Sequence, residues 1–268
     1  MTCRHILVSV ALALAVLAYV LVSAYAPRPL QVSRVVFTTE GEVFLPLPRP
    51  ISRVSVEEAI LLRRSIRDYT EDPVALEHLA LILWAAYGIT EPRLGFRAVP
   101  SAGATYPLEV YVVVGERGVR SGGTYLPAGV YKYDPYTHSI SLVKEGDSRR
   151  ELAAEAALGQ PWVEEAPVSI VVFAVFERTT RVYGERGRVR YVPMEVGHLG
   201  QNVYLVATAL GYGCVVVGAF YDDRVKAVVG AGAGEEPMYI IPIGVPARRH
   251  YVAFEDVWNY IISKRTGA

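Results

Sequence analysis

The stretch "LLRRSIRDY", Leu61–Tyr69, places Arg63, Arg64, Ser65 and Arg67 together directly after aliphatic residues. Guanidinium forks and a hydroxyl match the oxygens of a phosphate. The same cations also suit the C-terminus of a helix, whose dipole favours positive charge, and this segment alone does not separate the two readings. A second stretch, "RAVPSAGATYPLEV" (Arg97–Val110), sets the small residues Ser101, Ala102, Gly103 and Ala104 ahead of Tyr106-Pro107. A run without bulky side chains lets backbone lie close to a flat ligand. A third, "GCVVVGAF", puts Gly218 at the end of a buried strand, where a backbone amide can meet a ligand seated off the sheet.

Other patterns exclude chemistry. "GAGAGEE", Gly230–Glu236, opens no helix after a strand, so it reads as a loop and not as a dinucleotide fingerprint. Glu195 and His198 stand at i, i+3, but no second such pair accompanies them and no metal site is expected. No Gly-x-Ser-x-Gly elbow is present for a hydrolase. Cys3 and Cys214 are the only cysteines, which rules out a disulfide framework in the body of the chain. The formal net charge of zero gives no reason to expect nucleic acid.

These residues need elements to hold them. Ser55 and Glu58 form a capping-box pattern, with Val56, Ala59 and Ile60 as the apolar face of a short helix ending at the arginines. Asp72-Pro73 and Gly88 bracket a second helix whose buried stripe is Leu76, Leu79, Leu83 and Ala86. "EVYVVVG" (109–115) reads as a strand, and "GVYKYD" with "SISLVKE" reads as a hairpin around Pro135–His138. "VSIVVFAVF" (168–176), "CVVVGAF" (214–220) and "MYIIPIGV" (238–245) are near-continuous apolar runs, the mark of strands covered on both faces. Val196, Leu199, Val203, Ala207 and Leu210 repeat at helical spacing up to Gly211.

At the N-terminus, Arg4 and His5 precede an uncharged run from Ile6 to Ala26. At ~1.5 Å per residue it is long enough for a bilayer core of ~30 Å. The expected organisation is a signal-anchor helix over 1–26, an extended linker over 27–50, one domain over 51–250 and a helical tail over 251–268. Arg4 favours an inside N-terminus and an extracytoplasmic domain, secreted if the chain is cleaved after Ser-Ala-Tyr-Ala.

Taken together, "RRSIRDY", "RAVPSAGATYPLEVYVVV", "GHLGQNVYLVATALGYG", the strand-end glycine and "IPIGVP" resemble the nitroreductase family of FMN flavoenzymes, over about Val43–Pro246. Within it the chain is similar to the SagB-type branch, named for dehydrogenases that oxidise azolines to azoles in peptide toxins. The resemblance implies an α+β fold with a central mixed, mainly antiparallel sheet flanked by helices. It also implies an interlocked homodimer with FMN at the subunit interface and hydride transfer through flavin N5, with NADH or NADPH as donor.

By the same resemblance, Arg63, Arg64 and Ser65 hold the phosphate and ribityl chain, and Arg67 faces flavin N1 and O2. Pro100, Ser101, Ala102 and Gly103 form the loop laid against FMN, commonly by the partner subunit. Gly218 and Ala219 present backbone N–H to N5, Gln160 lies on the ribityl side, and Arg248 or Arg249 completes the phosphate clamp. Gly197, Gly200 and Ala207 let two copies of the long helix approach. The branch carries a Lys-Tyr pair for acid–base work, whereas "RTTRVYGERGRVRY" has Val182-Tyr183 there. Tyr183 alone is left to exchange a proton. Azoline oxidation and a non-catalytic, membrane-anchored flavin-binding module are the alternative functions.

Overall fold

The computed structural model describes residues 36–37 and 41–266. The anchor expected over residues 6–26 lies outside the described residues. Among those described, no helix is long and apolar enough to cross a membrane.

Eight strands form the principal sheet. They are β1 (Val36–Phe37), β2 (Glu42–Phe44), β3 (Leu108–Val114), β4 (Gly129–Asp134), β5 (Ser139–Glu145), β6 (Val168–Ala174), β7 (Gly213–Cys214) and β8 (Glu236–Gly244). Their order is β1-β2-β5-β4-β3-β6-β8-β7, with antiparallel pairing between neighbours. The helices among the described residues include α1 (Val56–Leu62), α2 (Leu76–Tyr87), α3 (Pro161–Glu165), α4 (Phe176–Tyr183), α5 (Val192–Ala209), α6 (Asp222–Val229) and α7 (Phe254–Thr266).

Strand β6 shows why the apolar runs are unbroken. All seven of its residues are buried. Successive side chains in a strand point to opposite faces, so Val168, Ile170 and Val172 join a core with Leu79 and Leu83 of α2 and Leu199 and Val203 of α5. Val171 and Phe173 join a second core with Leu152, Val163 and Val225. Helices on both faces thus bury both residue sets of an antiparallel strand, with no polar face left over.

The helix boundaries follow local chemistry. Ser55 Oγ accepts from Glu58 N–H, and the Glu58 carboxylate accepts from Ser55 N–H, so the capping box forms as expected. Gly211, at φ +84°, ends the turn after α5, a conformation that favours glycine.

Several expectations are corrected. α2 begins at Leu76, not at Asp72-Pro73, because Val74–Ala75 pair in parallel with Val119–Arg120 and keep the chain extended. Only Ala59 of the α1 stripe is buried, while Val56 and Ile60 face outward. The run 214–220 is not one strand: β7 stops at Cys214, and Val217 then makes a single bridge to Ile240. Part of the expected linker, Glu42–Phe44, is a sheet strand with Val43 fully buried. Gly200 and Ala207 serve their own chain and not a neighbouring copy. A Cβ on Gly200 would stand 3.2 Å from Tyr239, and Ala207 is sealed in the first core.

Phe173→Ala removes the largest side chain of β6 from a site without room to collapse. The expected loss is about 3–5 kcal/mol of unfolding free energy, read as a lower denaturant midpoint at unchanged slope.

Candidate functional site

The arginine segment leaves α1 at its C-cap, Arg63, with extended backbone (ψ 126°). It then threads between two remote stretches. Ile66 N–H donates to Cys214 O at 2.9 Å, Thr70 N–H to Val245 O at 2.9 Å, and Ala247 N–H to Asp68 O at 2.9 Å. The Ser65–Cys214 bridge is parallel, the one parallel neighbour of this seam among the described residues. A Cβ on Gly213 would lie 2.7 Å from Ile66 Cβ, so glycine there permits the approach.

Extended backbone alternates its side chains, and the arginines divide accordingly. Arg63 stacks on the Tyr204 ring of α5 (5.1 Å to the centroid), and Ser65 Oγ lies 2.8 Å from Tyr204 OH. Val216 N–H donates to that same hydroxyl at 3.0 Å. Arg67 sits over the Trp162 ring of α3 at 5.4 Å. Arg64 turns back, its Nη1 donating to Leu61 O (2.9 Å) and Arg63 O (2.7 Å) at the end of α1. It lines a cavity of about 420 Å³ together with Arg248, Arg249 and His250. Arg64 therefore caps a helix while facing the two late arginines.

Gln160, the residue before α3, ties in the end of the broken strand. Its Nε2 donates to Ala157 O at 2.8 Å and to Ala219 O at 3.0 Å. Gly218 and Ala219 are exposed, and a Cβ on Gly218 would meet no atom within 4 Å.

Pro100–Gly103 and Tyr183 form a second group, held by α4 and α5. Ser101 Oγ accepts from Tyr106 N–H at 2.9 Å, and Thr105 Oγ1 lies 2.8 Å from Thr179 Oγ1. Arg178 donates to Tyr106 O at 3.1 Å and pairs with Glu109. Gly103 has φ +61°, and a Cβ there would stand 2.7 Å from Tyr183 OH. Ala104 (φ +52°) and Tyr106 (φ +43°) also lie in the left-handed region, strain that these clamps to α4 sustain.

Glu195 of α5 lies beneath this loop, 3% exposed, and accepts from Tyr87 OH at 2.7 Å. Burial pushes its carboxyl above the ordinary range, against the hydrogen bonds from Ser101 and Tyr87 and the charge of Arg97. Arg97 lies over the rings of Tyr87 (4.4 Å), Tyr106 (4.7 Å) and Tyr136 (5.3 Å). Glu195 is thus a buried support of the loop; among the described residues no group of three metal-ligating side chains forms.

Sequence reasoning missed Tyr204, Trp162 and the Tyr87–Glu195 pair. Tyr204 was the visible signal, an aromatic hydroxyl within the otherwise aliphatic run "VYLVATAL". Trp162 carried no such signal, since its partner Arg67 is remote in sequence.

An eight-stranded sheet between two helical layers, with a cationic seam at its end, defines an α+β architecture. The nitroreductase family model matches residues 60–245. A protein of Methanocaldococcus jannaschii named as a nitroreductase is 48% identical over 195 residues, covering 72% of this chain and 92% of its own length. The crystal structure of a Ralstonia eutropha protein described as a nitroreductase superposes with a TM-score of 0.66 at 28% identity, covering 80% of this chain and 93% of that one. The trifolitoxin-processing protein of Rhizobium leguminosarum is 31% identical over 117 residues, 43% of this chain and 30% of that protein. The chain belongs to the nitroreductase family and is an oxidoreductase, similar to the toxin-processing branch. The family generally uses a flavin, typically FMN.

The raised pKa of Glu195 fixes a sign. Folding favours the protonated form of this carboxyl, so its contribution is full below the ordinary carboxylate pKa and is lost as pH rises through the folded value. Glu195→Gln keeps an acceptor for Tyr87 and cannot ionise. Its stability relative to the parent should therefore improve as pH rises from acid to neutral, measured by urea unfolding across that range.

Proposed function

We propose that the chain is an FMN-dependent oxidoreductase acting as a homodimer, tethered to a membrane by residues 6–26, with its domain outside the cytoplasm. The observation that carries this reading is the seam itself. Arg63, Ser65 and Arg67 lie along one edge of an extended segment, joined through Trp162 and Gln160 to exposed backbone at Gly218–Ala219.

The residues present fit FMN. Cations and a hydroxyl suit a phosphate and a polyol chain, and Gly218 leaves open space before a backbone amide. When bound, the cofactor supplies two-electron hydride exchange between a donor, NADH or NADPH, and an acceptor. Arg63 and Ser65 would hold the phosphate, while Arg64 stands on the other side of the segment with Arg248 and Arg249. Arg67 would supply fixed positive charge toward the flavin ring, which would favour its reduced, anionic form. Tyr183 offers a hydroxyl beside the small-residue loop for proton exchange. Val182 stands at the lysine position of the azoline dehydrogenases, and for that reason peptide azoline oxidation is not adopted.

Two features support a dimer. Pro100–Gly103 and Tyr183 are held by α4 and α5, apart from the arginine seam, and a second copy would unite the two groups. An apolar cleft of about 350 Å³ between α1, α2 and α5, lined by Val56, Leu81, Trp84 and Val206, lies open. Helix α7 buries none of its residues and exposes Trp258 and Ile262, which makes it a suitable occupant from a partner.

The purified chain should show a flavin spectrum and release about one FMN per chain on denaturation. A colourless protein that takes up no added FMN would overturn the proposal. In the loaded protein, Arg67→Ala should make the flavin potential more negative while weakening FMN binding less; an unchanged potential would remove the role given to Arg67. The tether predicts that alkaline carbonate leaves the chain in the membrane pellet, and its release would argue for a cleaved leader.

A further inference from the structure

The segment after α4 concentrates charge in an otherwise neutral chain. Between Glu177 and Tyr191 stand Arg178, Arg181, Arg186, Arg188 and Arg190 against Glu177 and Glu185. Arg178 is paired with Glu109 and Arg181 with Glu177. Arg188 lies over the Phe176 ring at 4.4 Å. Arg186 and Arg190 remain, both exposed, and neither takes part in an ion pair among the described residues.

The segment is firmly placed. Gly187 is buried against Thr179, where a Cβ would stand 3.1 Å from Thr179 Cγ2. Tyr191 packs edge-on against Tyr183, with ring centroids 5.0 Å apart. Residues 187–191 form one wide helical turn, and positions i and i+4 of such a turn share a side. Arg186, which precedes this turn, and Arg190 within it thus lie about one turn apart, in the segment whose Tyr191 packs on Tyr183, the tyrosine whose hydroxyl abuts Gly103. Like charges at this spacing destabilise a helix unless an anion lies between them, and the one acid within the turn region, Glu185, is exposed and unpaired with either.

We propose that Arg186 and Arg190 form a recognition site for an anionic redox partner, a small molecule whose phosphate or carboxylate they hold beside Tyr183. Two guanidinium groups on one turn suit such a group by charge-assisted, bidentate hydrogen bonds. The inference rests on Tyr183 belonging to the active site. It adds the substrate's charge, supplied either by the phosphates of a nicotinamide donor or by an acidic acceptor.

The test uses the full-length flavin-loaded protein, the double variant R186Q/R190Q, and Arg53→Gln as an exposed control outside the site. The acceptor arm compares 4-nitrobenzoate with nitrobenzene; the donor arm compares NADH with the phosphate-free reduced nicotinamide riboside. In the double variant kcat/KM should fall about tenfold for the anionic member of one arm, mainly through KM, with its neutral counterpart little changed. The arm that responds identifies the source of the charge. Equal effects on charged and neutral members, or no effect in either arm, would overturn the proposal. Calorimetric titration with 4-nitrobenzoate and with NADH separates this from failure of the flavin reading. A protein without flavin turns over none of the four compounds, yet binding of an anion to the parent and its loss in the double variant would still uphold the site. Absence of anion binding to the parent would end it.

Discussion

Backbone pairing between three stretches remote in sequence determines where every charge of the seam stands. Because Gly213 carries no side chain, Ile66 can close against it, and Ser65–Thr70 then runs as a guest strand between Cys214 and Val245. Once that register is set, the side-chain alternation follows without further instruction. Arg63, Ser65 and Arg67 fall to one side, and Arg64 falls to the other. Any larger residue at position 213 would push the arginine segment away from the sheet and scatter its donors together.

The sheet supplies the rigidity this seam needs. β6 and its neighbours are covered on both faces by separate cores, so the segment after β7 that carries Gly218 and the loop ahead of β3 that carries Pro100–Gly103 emerge from a doubly packed layer. The loop itself holds left-handed backbone at non-glycine residues, and α4 is the clamp that keeps it there. Helix and loop therefore move, or stay, as one piece.

Much of this was legible in the sequence where the signal is local. The capping box at Ser55, the hairpin around Pro135–His138 and the stripe of α5 depend on neighbours in the chain, and the structure contains them. The misread elements depend on remote partners. Val74–Ala75 is extended because Val119 lies alongside, and the run 214–220 breaks because Val216 N–H is claimed by Tyr204. Composition marked both as continuous. The arginine cluster was readable as a concentration of charge but not as a divided one: Arg64 caps α1, while Arg63 and Arg67 lie over the rings of Tyr204 and Trp162. Trp162 beneath Arg67 joins residues nearly a hundred positions apart, and no pattern in either stretch announced it.

Cys214 sits within this seam, its thiol 1% exposed and pushed up by burial, against the charge of Arg63. The thiolate is the reactive form of cysteine, and here it is suppressed. The described domain thus offers no readily reactive thiol to changes in the surrounding thiol–disulfide poise. A cysteine introduced at an exposed position would be the only readily labelled thiol among the described residues, which opens the domain to site-directed spectroscopic labelling once Cys3 is replaced.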